Sequence, residues 1–196
     1  MNTFQDQTAL SFFNAMGYNL NPQVVRVTES DFYTTGNLKN GAATVEIIED
    51  SQTKVYGERN FSNAKFPQGE NVACAGIAFE IASDSTATSA GLADYSFKTA
   101  NVPAIILNAE LIVEQNDKPI FPPLRIGKML ADSEPLAMNH EKFYAFKTYK
   151  LIEADNELQI KVRFPKDGSL GAAPYTDKNY YIRIHFVGAK TMRKVA

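Results

Sequence analysis

The stretch ELQIKVRF, residues 157–164, alternates without a break: Leu158, Ile160, Val162 and Phe164 are apolar, while Glu157, Gln159, Lys161 and Arg163 are polar. Successive side chains of a strand point to opposite faces, so this pattern predicts a β-strand with one face in a core and the other toward water or a partner. Residues 179–187, NYYIRIHFV, repeat the pattern, with Tyr180, Ile182, Ile184 and Phe186 inward and Tyr181, Arg183 and His185 outward. A slip of one residue would turn either strand inside out, so the two apolar rows are expected to share one core.

Working outward from these strands, the period of two persists. Val25 and Val27 alternate with Arg26 and Thr28, and Val45 and Ile47 with Thr44 and Glu46. The run NVACAGIAFEIA, residues 71–82, places Ile77, Phe79 and Ile81 on one side, and Gly76 in its middle predicts a bulge or a close backbone approach. Across residues 104–113 the same reasoning gives a strand with Ile105, Leu107, Ala109, Leu111 and Val113 on one face and Asn108 and Glu110 on the other. Shorter β segments are expected near residues 54–56, 119–121 and 143–146. Two loops stand out: SDSTATSAGLAD, residues 83–94, and FPPLRIGKMLADSEP, residues 121–135, the latter with a helical turn near 126–130. The expected fold is all-β, a single jelly roll or β-sandwich of about eight antiparallel strands.

The first twenty residues follow a different period. Ala9, Phe12, Phe13 and Met16 fall at i, i+3, i+4 and i+7, one face of a short helix, and Gly17 stands where a C-terminal cap belongs. Residues 1–20 therefore read as an amphipathic N-terminal arm, and residues 21–196 as one domain. The arm either closes one end of the sandwich or packs onto a neighbouring subunit, in which case Phe12, Phe13 and Met16 are the contact residues.

With 196 residues, 44% of them hydrophobic, the chain can bury a core without disulfides or metals. Twenty basic and 22 acidic side chains give a formal charge of −2, which supplies no broad positive field for nucleic acid. The single cysteine, Cys74, cannot form an internal disulfide, which favours a reducing compartment. The N-terminus lacks the basic and apolar segments of a signal peptide, and no apolar run approaches the roughly 18 residues of a spanning helix. A soluble protein made in a cytoplasm is expected.

Motifs for chemistry are missing from the sequence: it has no glycine-rich phosphate loop, no GxSxG elbow, no HExxH and no Cys-x-x-Cys. His140 and His185 lie in different segments, and His185, beside Arg183, reads as an exposed or interface histidine. Cys74, inside an apolar strand, reads as a buried, inert thiol. Asp84, Asp94, Asp132 and Glu134 are loop acids whose spacing matches no cation-wrapping loop. No catalytic, cofactor-binding or metal-ligating residue is therefore assigned, and no enzymatic activity or small-molecule substrate is expected. Asn60-Phe61-Ser62 is a formal glycosylation sequon, to which no role is assigned without a secretory signal. Lys190, Arg193 and Lys194 form a small basic cluster near the C-terminus, either a solvated tail or a weak, sequence-independent contact to a genome or a membrane.

Two regions resemble capsid proteins of tailless, icosahedral bacterial viruses built from jelly rolls, membrane-containing viruses among them. In ERNFSNAKFPQGENVACAGIAFEI, residues 58–81, the matching residues are Asn63, Phe66, Pro67, Gly69, Gly76 and Ile77. FYAFKTYKLIEADNELQIKVRFP, residues 143–165, and YYIRIHFVGAKTMR, residues 180–193, are similar to the closing strands of the same roll, with Gly188 and Arg193 at the end. The resemblance implies a structural virion protein, a major or a penton or minor capsid subunit. It would be made in the host cytoplasm and located in the virion, its partners being copies of itself and other virion proteins. Major capsid proteins of this kind often carry two rolls in one chain, and 196 residues hold one. The alternative is a carbohydrate- or surface-binding module of a spike or adhesin, which the absence of Trp weakens and the nine Tyr keep open. A third reading is a jelly-roll enzyme, although the His-x-His cluster of the cupins is lacking.

Overall fold

Long antiparallel ladders dominate the computed structural model, which describes residues 3–18, 20, 25–38, 42–48, 54–55, 57–85, 97, 102–131, 143–168, 170, 174–176 and 178–193. Strand β1 (Val25–Asn37) runs against β9 (Lys178–Arg193), with Phe32 opposite Phe186. On its other side β9 pairs with β3 (Val72–Ser85), and β3 in turn with β7 (Phe143–Ile152). Sheet A therefore has the order β1-β9-β3-β7. Sheet B has the order β2 (Thr44–Glu46), β8 (Leu158–Arg163), β4 (Glu110–Gln115), with β5 (Lys118–Pro119) and β6 (Leu124–Arg125) also paired to β4.

The pairings are nested. The first strand pairs with the last, β2 with β8, β3 with β7, and β4 with the short β5 and β6. A chain that pairs from its ends inward is one long hairpin, and dealing its strand pairs between two packed sheets gives a jelly roll. The β4–β5 turn carries Asn116 and Asp117 at φ of 49° and 59°, the left-handed pair that a two-residue hairpin requires.

Between the sheets, Leu158, Ile160, Val162, Ile182, Ile184 and Phe186 are each at most 1% exposed and belong to one cluster, as the two alternating segments predict. Phe32 stacks on Phe66 with ring centroids 4.1 Å apart, and Phe61 meets both edge-on. The register of β3 shifts between Cys74 and Gly76, the bulge expected there. A Cβ at Gly76 would collide with the Tyr144 carbonyl and the Phe143 ring, so the close approach of β7 demands glycine.

Three expectations are corrected. Residues 104–113 are not one strand: Ala104–Leu107 form a helical turn, α2, and the strand begins only at Glu110. The segment AIIL is apolar at every position, so it carries no period to separate helix from strand, and burial selects Ile106 instead of Ile105 and Leu107. Near residues 54–56 the described backbone forms only an isolated bridge from Val55 to Arg59. Lys190 and Arg193 lie in no free tail, because β9 continues through Arg193, which is aligned with Val25. The helical turn expected near 126–130 is α3, Ile126–Ala131.

Helix α1, Thr3–Ala15, ends as its sequence predicts. The Tyr18 N–H donates to Phe13 O and the Gly17 N–H to Asn14 O, with Gly17 at φ 85°, which together make a Schellman cap. The Phe13 and Tyr18 rings meet edge-on at 6.1 Å, the apolar contact that accompanies such a cap. The helix lies on the outer face of sheet A, where Ala9 and Phe13, both fully buried, pack with Ala73 and Ala189.

Candidate functional site

Side-chain chemistry gathers at three places among the described residues. The first is on the outer face of sheet A, beyond the part that α1 covers. Strand pairing sets Tyr33 opposite His185 and Glu80 opposite Arg183, so alternate residues of β1, β9 and β3 converge. The His185 Nε2 atom lies 3.8 Å from a Glu80 carboxylate oxygen, and the Tyr33 and His185 ring centroids are 5.5 Å apart. Arg183 donates to Thr35 Oγ1 (3.2 Å) and to the Gly57 carbonyl (2.7 Å), and its guanidinium lies 3.8 Å from the centroid of the Phe97 ring.

His185 is thus outward-facing as expected but, at 7% exposed, it is buried rather than exposed. Residues 57–61 run beside β1 through a bridge between Thr34 and Arg59, and the arginine and aromatic contacts complete the cover. Chemically, the arrangement can hold an ion pair whenever His185 is protonated. The thiol of Cys74 faces the opposite way, into the core, where it donates to Gly76 O, and burial pushes its pKa up to about 12. It therefore supplies no thiolate to this cluster. His140 lies outside the described residues.

The second place is one end of the roll, where the loop from β7 to β8 is fastened from three directions. The Tyr18 hydroxyl donates to Glu153 Oε1 (2.6 Å), and Asn156 Nδ2 to Glu153 Oε2 (2.8 Å). Gln115 exchanges hydrogen bonds with the backbone of Glu153, and Asn71 Oδ1 accepts the Ala154 N–H. Burial first, then the hydrogen bond and charge of Glu153, push the Tyr18 phenol up to about 12. Each polar group here has a partner in the same chain, so the network joins helix cap to roll.

The third place is a shallow cavity of about 360 Å³ lined by Ala104, Leu107, Asn108, Arg125, Gly127 and Lys128, between α2 and α3 at the edge of sheet B. Sequence reasoning missed it. Arg125 and Lys128 carry no motif, and Arg125 meets Asn108 only because β6 pairs back onto β4.

The arm residues part company. Phe13 is fully buried in its own chain, Phe12 is half-buried with its ring 5.5 Å from that of Tyr149, and Met16 is 51% exposed. Lys190 pairs with Glu70 at 2.5 Å and lies 4.8 Å from the centre of the Phe32 ring, so its charge is already answered. Lys194, Asp94, Asp132 and Glu134 lie outside the described residues. Among the described residues no three His, Cys, Asp or Glu side chains converge as a metal site would require, and no helix is long and apolar enough to cross a membrane.

The residues that carry the family resemblance have structural work. Asn63, at φ 55°, and Ala64 form a tight turn closed by the Lys65 N–H on Ser62 O. Phe66 and Ile77 are core, and Pro67 and Gly69 belong to the turn in which the Glu70 N–H donates to Pro67 O. Compared with known proteins, the chain matches no family model and no curated protein sequence.

Proposed function

We propose that the chain is a structural subunit of an icosahedral virion, a capsid protein of a tailless bacterial virus in a major, penton or minor role. One observation carries the reading. The segments that resemble such proteins contribute three neighbouring strands of one sheet, β9-β3-β7, together with β8 of the other, in a roll whose strands pair from the ends inward. The proposal also accounts for a molecule whose polar clusters fasten its own segments together. A shell subunit needs a rigid block and several distinct contact surfaces. Met16 and the open side of Phe12 offer apolar area for a neighbouring copy, whereas Phe13 serves the subunit's own sheet.

The test is sedimentation with electron microscopy of the full-length protein. Closed particles, rings or capsomers are expected, with contacts that each bury on the order of 1,200–2,000 Å². A strictly monomeric protein, under conditions in which its source particle stays intact, would overturn the proposal and favour the spike or adhesin reading.

A further inference from the structure

We infer that the cavity between α2 and α3 is a binding site for a phosphoryl group, with Arg125 and Lys128 as its cationic ligands. Three of its six lining residues are polar, two of those are cations, and none is acidic. Arg125 is oriented by donating one Nη2 hydrogen to Asn108 Oδ1, and four of the five guanidinium hydrogens remain for a second acceptor. Among the described residues Lys128 makes neither an ion pair nor a hydrogen bond.

The nearest acid by strand register is Glu110, aligned with Arg125 across β4 and β6. Its Oε2 accepts from both Nε (3.1 Å) and Nη2 (2.5 Å) of Arg163. Glu110 is thus occupied by a different cation, and among the described residues the two charges of the cavity pair with no carboxylate. Lys190 shows the contrast, since Glu70 neutralises it.

A planar fork beside a mobile ammonium matches a tetrahedral dianion, because the guanidinium takes two oxygens at once while the lysine supplies a point charge. The volume of about 360 Å³ exceeds what a bare phosphate fills and lies at the small end of ligand cavities. Ala104 and Leu107 give an apolar floor beside the cations. The structure therefore assigns the site to the phosphoryl group of an ester with an organic body, either a free phosphomonoester or a unit of a nucleic acid.

The experiment is an amide-resolved NMR titration of the full-length protein with three probes at constant ionic strength: inorganic phosphate, adenosine monophosphate and a short single-stranded oligonucleotide. Saturable shifts at Asn108, Gly127 and Lys128 are expected, with dissociation constants on the order of 1 mM or tighter for the monophosphate. Arg125→Gln and Lys128→Gln should each weaken binding about tenfold or more. Lys128 is exposed, so its variant keeps the test open if Arg125→Gln folds poorly. Tighter binding of the oligonucleotide than of the monophosphate would identify a nucleic-acid source, and equal or weaker binding a free ester. Shifts that do not saturate, or that persist unchanged in both variants, would overturn the assignment. The amide signals are read by solution NMR from free subunits and by magic-angle-spinning NMR from assembled particles, so the site is tested in either state and its failure is separable from failure of the capsid proposal.

Discussion

The outer faces of the two sheets are built from similar alternating strands and meet opposite fates. On sheet B, Lys161 pairs with Glu114 at 3.1 Å and Arg163 with Glu110 at 2.5 Å, a ladder of opposite charges between β8 and β4 that stays in water. On sheet A, half of the outer face is small and apolar, with Ala73 and Ala189 roofed by α1. The other half is polar yet covered, with His185 buried and Glu80 and Arg183 half-buried beside residues 57–61 and Phe97. Alternation in a strand dictates which side chains leave the core. What they meet outside is decided by segments distant in sequence.

The largest expected effect tests whether α1 belongs to the roll. Phe13→Ala removes a fully buried ring from the helix–sheet contact and should cost about 3–5 kcal/mol in urea unfolding, the usual range for a truncated core phenylalanine. A loss below about 1 kcal/mol would mean that the helix detaches without consequence. Sheet A would then present a bare apolar face in need of another cover, and the arm would revert to a device for gripping neighbours.

An intermediate effect concerns the point where the helix cap meets the β7–β8 loop. Tyr18→Phe deletes the hydrogen bond to Glu153 and should cost about 1 kcal/mol, since the acceptor is charged but the pair is only partly buried. The pH dependence has a definite sign. The phenol's pKa in the folded protein is raised from 10.0 to about 12, so its contribution is fully present below pH 10 and is lost as pH rises through about 12. Wild type should lose its advantage over Tyr18→Phe across that window, as followed by urea unfolding at stepped pH. A difference between the two proteins that stayed constant from pH 8 to 12 would show that the hydroxyl plays no part in docking.

Legibility in the sequence follows the same division between what is local and what is not. The inner rows of β8 and β9, the bulge before Gly76, the turn of α3 and the Gly17 cap were all readable, because each depends on neighbours within a few residues. The far half of β1 was not. Ser30, Thr34 and Thr35 are buried although polar, and a row of hydroxyl side chains leaves no hydrophobic period. Nested pairing was equally silent, since no local signal tells Val25 to align with Arg193. The outward position of His185 beside Arg183 predicts an exposed or interface histidine, and the structure buries it within the chain. Its cover includes Tyr33 and Glu80, both more than a hundred positions upstream. The cavity with Arg125 and Lys128 stayed hidden for the same reason, as its walls assemble only when β6 turns back onto β4.

The smallest expected effect lies on sheet B and sharpens the comparison from its other side. The Arg163 and Glu110 side chains are 51% and 41% exposed, so water and salt screen their attraction, and holding both side chains in one geometry costs entropy. A double-mutant cycle of Glu110→Gln and Arg163→Gln should therefore give a coupling of about 0.5 kcal/mol or less, falling further in 1 M salt. Lys161 and Glu114, at 28% and 25% exposed, should couple somewhat more strongly and resist salt better, because less water reaches them. Neither pair should approach the cost of Phe13→Ala, since no apolar surface is uncovered when a cross-strand pair in water is broken. A coupling above about 2 kcal/mol for Arg163 and Glu110 would contradict this ranking. It would mean that the face is shielded by something other than solvent, as it would be if a neighbouring subunit covered sheet B in the assembled protein, and measuring the cycle at several protein concentrations would separate that case from an error in the ranking.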